Sequence, residues 1–176
     1  MPFIFSNAFL SDTNREFAKS LLENAFPAEE RPTFETMEQR DDKYRLCVVQ
    51  KDGKNVGIVG YWSFDDVVYI EHLAIDKALR NMGLGTEMLK TFLSGLDDSK
   101  QVVVEVELPK TKDARRRIAF YERLGLCCSE YNYQQPPYHS NYGFLPMLLM
   151  SLLPLSEQDF EHIRDVLYKK VYGVTC

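Results

Sequence analysis

The sequence predicts a mixed α/β fold: a mostly antiparallel central sheet of about six or seven strands, flanked by helices, in a single domain over residues 1–176. Three observations point there. The apolar period switches from helical to alternating near residue 44, and it switches again several times after residue 84. Asp52-Gly53 stands between two strand-like runs, a strong signal for an antiparallel hairpin. The chain has 176 residues, 45% apolar and 27% charged, which fits one globular domain with an ample core.

The elements follow in order. Phe17, Leu21, Leu22 and Ala25 recur at helical spacing between Asp12 and Phe26, with Ser11 or Asp12 as the N-cap. Pro27 and Pro32 punctuate the next stretch, and a short second helix is expected from about Thr33 to Arg40. Tyr44 to Lys51 and Asn55 to Phe64 form the hairpin, and Asp65-Asp66 turns the chain into a third strand, Val67 to Ile75. The helical period then returns from Gly85 to Leu96, with Met88, Leu89, Phe92 and Leu93 in its apolar stripe. Val102 to Leu108 is a β-branched strand that ends before Pro109, and Lys112 to Leu124 is a helix stopped by Gly125. Two further strands are expected over Leu126 to Tyr133 and Phe144 to Leu152, around a loop holding Pro136-Pro137 and Gly143. A last helix starts on the Ser156 cap and runs to about Val171, with Phe160, Ile163 and Leu167 inward.

Several function classes fall away. Twenty-one Lys+Arg against 26 Asp+Glu give a net charge of −5, which argues against sequence-independent nucleic-acid binding. No apolar run reaches the ~20 residues that span a bilayer, so no membrane partner is expected. Met1 to Leu10 lacks the basic region and cleavage site of a secretory signal. Cys47, Cys127, Cys128 and Cys176 show no paired spacing, so reduced thiols in a cytoplasmic protein are expected. His72, His139 and His162 have no metal-ligand spacing with them, so no metal site is expected.

The informative segment is Tyr69-Ile-Glu-His-Leu-Ala-Ile75, followed after four residues by Arg80-Asn-Met-Gly83-Leu-Gly85 opening a helix. The first amides of a helix have no intrahelical partner, and its dipole is positive there. Glycines let phosphate oxygens approach those amides, and Arg80 adds charge, which suits a diphosphate. An ordinary loop with a glycine-rich helix start satisfies the bare pattern equally. A dinucleotide fingerprint does not fit, because seven residues separate Ile75 from Gly83 and Met88 stands where a third glycine is needed. No P-loop run exists either.

Together with Ile118-Ala-Phe-Tyr121-Glu-Arg-Leu-Gly125-Leu, this segment resembles the GNAT superfamily of acetyl-CoA-dependent N-acetyltransferases over about Val67 to Leu126. The resemblance implies acetyl-CoA as cosubstrate. It implies that Arg80, Asn81, Met82, Gly83, Leu84, Gly85 and Thr86 bind the coenzyme A pyrophosphate. The main chain of Leu73, Ala74 and Ile75 would bond the pantetheine arm like an added strand, with Arg117 and Phe120 as further cofactor contacts. Tyr121 would sit near the thioester sulfur. The chain departs from the family where many members carry Asn-x-x-Ala before this tyrosine; Ala114 and Arg117 stand there instead.

Acetyl transfer to an amine needs a proton removed from the ammonium, a polarised carbonyl and a proton for the departing thiolate. Tyr121 is the candidate acid, against the plainer role of a packed ring. Glu71 is the first candidate base, since a carboxylate mid-strand among apolar residues is costly unless paired or working. Glu105 is the second candidate, with deprotonation left to water or the acceptor itself if neither serves, and a salt bridge or hydrogen bond explains either residue as simply. Strict alternation puts His72 on the face opposite Glu71, as a satisfied core histidine. The acceptor is expected to be a primary amine, on a small molecule or a peptide, attacking directly in a ternary complex. Acidic residues between Phe26 and Asp42 and tyrosines between Tyr131 and Phe144 suit such a cation. Two rivals are a non-catalytic acyl-CoA-binding module and a protein-interaction domain; homodimer formation stays open.

Overall fold

A computed structural model describes residues 2–175, and Cys176 lies outside the described residues. The chain forms two compact units, Met1–Lys100 and Gln101–Cys176.

In the first unit, β1 (Ile4–Asn7), β2 (Tyr44–Lys51), β3 (Lys54–Ser63) and β4 (Val67–Ile75) pair antiparallel in that order. The hairpin between β2 and β3 turns on Asp52 and Gly53, with φ of 52° and 75°, as a type I′ turn requires. The strands bury Leu46, Val48, Ile58, Val59 and Val68 almost completely. Helix α1 (Asp12–Ala25) is capped by the Ser11 hydroxyl, which accepts from the Asn14 amide, and packs on β2, β3 and β4. Helix α2 (Phe34–Glu38) is one short turn and a half, capped by Thr33. Helix α3 (Leu84–Ser94) buries Met88, Leu89 and Phe92 and packs on β4.

In the second unit, β5 (Gln101–Glu107) pairs antiparallel with β8 (Leu145–Ser151), which also pairs β6 (Cys127–Cys128) and β7 (Tyr133–Gln135). At the end of β5 the faces alternate, with Val104 and Val106 buried and Glu105 and Glu107 half-buried. Helix α4 (Lys112–Glu122) starts on the Thr111 cap and stops before Gly125, whose φ is 93°. Helix α5 (Glu157–Lys170) carries a full capping box between Ser156 and Asp159 and buries Phe160, Ile163 and Leu167.

The described residues thus hold five α-helices and eight strands, one strand more than the upper expectation, and the pairings within each unit are antiparallel. The extra one is β1, four residues at an edge, too short to show a period. The strand expected over Leu126 to Tyr133 is two short pieces, β6 and β7, with irregular backbone between them. Cys47, Cys127 and Cys128 are free thiols.

Candidate active site

The segment after β4 is built for close backbone approach. Asp76 caps a short 3-10 turn by accepting from the Ala78 amide, and Arg80 Nε donates to the Ile75 carbonyl at 3.2 Å. Asn81 and Gly83 both have positive φ, 65° and 76°, so the chain reverses sharply into α3. Gly83 is the N-cap and offers no side chain to the helix amides, and a Cβ on it would meet nothing within 4 Å. Leu84, Gly85 and Thr86 form the first turn, while Met82 is 66% exposed. Open space, uncapped amides and a neighbouring guanidinium fit a diphosphate.

Leu73, Ala74 and Ile75 pair with Val59, Ile58 and Gly57 of β3. Alternate backbone groups of such a strand point away from that partner. The approach of β3 is tight: a Cβ on Gly57 would stand 2.5 Å from the Ala74 carbonyl oxygen.

Upstream of these residues β4 is irregular. Gly60 pairs with His72 and Tyr61 with Ile70, so the register with β3 steps over Glu71, which forms a bulge. A bulge breaks the two-residue alternation and re-aims side chains. Glu71 and His72 therefore do not point apart as strict alternation predicts: Glu71 Oε2 lies 3.8 Å from His72 Nδ1. The Glu71 side chain is fully buried and takes both nitrogens of the Arg40 guanidinium, at 2.5 and 3.0 Å, plus the Trp62 indole N–H at 3.2 Å. Arg40 in turn stacks on Tyr44 and Trp62, 4.4 and 4.7 Å from their centroids. Nothing in the sequence tied Arg40 to Glu71, thirty-one residues away. Burial, only partly offset by the Glu71 charge, holds His72 below the ordinary histidine range.

The second unit holds the other candidates. Tyr121 is buried in α4, with its ring edge-on to Phe120 at 5.1 Å. Burial pushes its phenol up to about 12, so it carries its proton at neutral pH. Arg117 reaches Glu107 at 3.6 Å, both partly exposed, and Ala114 is buried. Glu105 accepts from the Tyr133 hydroxyl, from Gln135 Nε2 at 2.7 Å and from the Tyr172 hydroxyl at 2.6 Å. Burial and the Glu105 charge hold Tyr133 well above the usual phenol range, so it donates. Sequence reasoning missed Tyr172, which lies beyond the last helix.

A separate cleft of about 410 Å³ in the first unit is lined by Asp42, Lys43, Arg45, Tyr61 and Lys100 and contains none of the predicted site residues. The described residues hold no group of three or more His, Cys, Asp or Glu that could bind a metal, and no helix long and apolar enough to cross a membrane.

The profile of the acetyltransferase (GNAT) family matches residues 10–126, and the chain belongs to that family. It is 37% identical to a Bacteroides thetaiotaomicron protein described as an acetyltransferase of the GNAT family, with a TM-score of 0.89 over 99% of this chain and 100% of that one. Two more distant structures share the fold. A chimaera of spermidine N-acetyltransferase from Vibrio cholerae gives a TM-score of 0.64 at 14% identity, over 87% of this chain and 96% of that one. An Arabidopsis thaliana protein in complex with the bisubstrate analogue CoA-Ac-MVNAL gives 0.59 at 17% identity, over 86% and 98%. No curated protein sequence matches the chain.

Proposed function

We propose that this protein transfers acetyl from acetyl-CoA directly to a primary amine, and that residues 1–176 act as one acetyltransferase domain. The profile match supports the second point, since it runs across the boundary at Lys100. The observation that carries the first is the Gly83 cap of α3, open and uncapped after β4, in a chain of this family. Bound there, acetyl-CoA supplies an activated acetyl thioester.

The chain's residues do the rest. The amides from Gly83 to Thr86 and the Arg80 charge hold the diphosphate, and the outward groups of Leu73 to Ile75 hold the pantetheine arm. Tyr121 keeps its proton at the hydroxyl oxygen until a thiolate needs it, which a phenol raised to about 12 does at neutral pH. Glu71 takes the ammonium proton; its place on a bulge two residues before Leu73 favours it over Glu105. Glu105, held by three donors, fixes the aromatic segment of the second unit.

The acceptor is a primary amine on a small molecule or a peptide. The spermidine enzyme and the peptide-bearing analogue mark these two chemistries among structures of the same fold. Thiol release from acetyl-CoA should be measured on spermidine, on free lysine and on short peptides with a free N-terminus. Release with at least one is the expected result. Coenzyme A binding with no release on any of them would leave a binding module.

A further inference from the structure

The cleft of about 410 Å³ in the first unit plays no part in the chemistry above, and its lining is rich in donors. Strand register brings them together. Arg45 on β2 stands opposite Tyr61 on β3, and Ser63 follows Tyr61 by two residues, so the three side chains share one face. Lys100, beyond the end of α3, reaches the same face: its Nζ donates to Ser63 Oγ at 3.1 Å and to the Phe64 carbonyl at 2.6 Å. Arg45 Nη1 donates to the carbonyls of Asp42 and Tyr44, at 2.6 and 2.9 Å. The carbonyl between those two, on Lys43, accepts from the Ser63 amide at 2.8 Å, so both cations are anchored around Ser63.

These bonds hold the groups in place but leave donors and charge over. Among the described residues neither Lys100 nor Arg45 pairs with a carboxylate; each is anchored on neutral oxygens. Arg45 keeps Nε and Nη2, and Lys100 keeps one N–H, for a further acceptor. The Tyr61 hydroxyl has no hydrogen-bond partner among the described residues, and its ring is fixed edge-on to Phe92 at 4.9 Å. Burial and Cys47 hold this phenol above its ordinary value, against the pull of the Arg45 charge, so it stays a donor at neutral pH. Two carboxylates also line the cleft. Asp97 is engaged by the Ser99 amide and hydroxyl, at 2.9 and 2.7 Å, and Asp42 is exposed. With Lys43 the lining therefore holds three cations to two carboxylates. A neutral acceptor would satisfy the spare donors but not the charge, whereas an oxyanion does both, through the stronger charge-assisted bonds.

We propose that this cleft is a second ligand site, which takes the phosphate or carboxylate group of a small molecule between Arg45, Tyr61 and Lys100. The group accepts from the guanidinium, the phenol and the ammonium together. Such a group fills only part of 410 Å³, and the space toward Val68 and Leu96 admits an organic body attached to it. The site is separate from the loop before α3. Gly95 and Leu96 border it at the C-terminal end of that helix, and its eleven residues put about 16 Å between this end and the Gly83 cap.

Inorganic phosphate and acetate are the probes, each titrated into the full chain at constant ionic strength so that screening stays fixed. In ¹⁵N spectra the Arg45 Nε–H and Ser63 amide signals should move to saturation with at least one of them. Tighter binding of phosphate assigns a phosphate-bearing ligand, and tighter binding of acetate a carboxylate. A linear response to both, with no saturation, overturns the site. Read at the Ser63 amide, Arg45→Gln and Lys100→Gln should each weaken the binding about tenfold or more, since each removes a charged donor. Tyr61→Phe keeps the ring on Phe92 and should weaken it about threefold, as a neutral donor does. Wild-type affinity in Arg45→Gln overturns the site as well. Phosphate also suits the Gly83 cap, so Gly83→Val is the control. If that variant loses the saturable response while Arg45→Gln keeps it, the ion sits before α3 and the cleft is not its site. Should Lys100→Gln fail to fold once the Phe64 carbonyl loses its donor, Arg45→Gln and Tyr61→Phe still decide.

Discussion

Arg40 holds together a cluster that helix propensity alone would not mark. Its guanidinium packs against two aromatic rings and supplies two donors to a carboxylate with no solvent exposure. Removing one partner of such a pair strands the other charge, at a cost of about 3–5 kcal/mol. Arg40→Met should therefore destabilise the fold by that amount in urea melts, and Arg40→Met with Glu71→Leu should recover most of it. A double variant as unstable as the single one would show that ring stacking, not charge, carries the residue. His72 adds a pH dependence of known sign. Its folded value lies below the unfolded one of about 6.5, so the unfolded chain binds more protons and stability falls as pH drops below about 6.5. His72→Gln should flatten that slope. At this scale the sequence revealed the residues that sit in motifs, Tyr121 and the Arg80 to Gly85 run. It concealed those defined by long-range contact, Arg40 and Tyr172, because a pair thirty-one positions apart leaves no local pattern.

Elements were legible where period and punctuation agreed. β2 and β4 run over the expected residues, and Ser11, Thr33, Thr111 and Ser156 all accept from a helix amide at the start of their helices. The missed and divided strands share one cause: a short or irregular strand carries too few residues for its period to show. β1 has four residues, β6 two and β7 three. The bulge at Glu71 escaped notice differently, since nothing in the run from Val67 to Ile75 marks an extra residue and only pairing with β3 reveals it. The turn into α3 gives the element-scale prediction. Gly83 needs a φ of 76°, which a β-branched residue resists, and its missing side chain leaves the amides open. Gly83→Val should weaken coenzyme A binding at least tenfold by calorimetry, whereas Arg80→Ala should cost less, because backbone donors carry most of such a site. Equal affinity in Gly83→Val would remove the pyrophosphate from this loop. At the same scale, Tyr121→Phe keeps the ring packed on Phe120 in α4 but deletes the donor. Turnover should fall by about 10²–10⁴-fold while acetyl-CoA affinity holds, and wild-type turnover on a working acceptor would demote Tyr121 to packing.

For the whole molecule the decisive quantity is the free energy that a ligand adds to the native state. A ligand that binds only folded protein stabilises it by RT ln(1 + [L]/Kd), about 2.7 kcal/mol at a hundred times Kd. In a chain of this length each kcal/mol moves the melting temperature by about 2–4 °C, so coenzyme A at that excess should raise it by roughly 5–10 °C. The parts of the ligand separate the contacts. If the amides at Gly83 hold the diphosphate, pantetheine alone, which lacks it, should give a much smaller shift at the same concentration. An equal shift would move the main binding contact to the strand that holds the arm, at Leu73 to Ile75. No shift with coenzyme A at millimolar concentration would exclude both the enzyme and the acyl-CoA-binding module, since each must prefer the native state when that ligand is present. Only the interaction domain would then remain, and a family fold would have been kept without the cosubstrate that defines it.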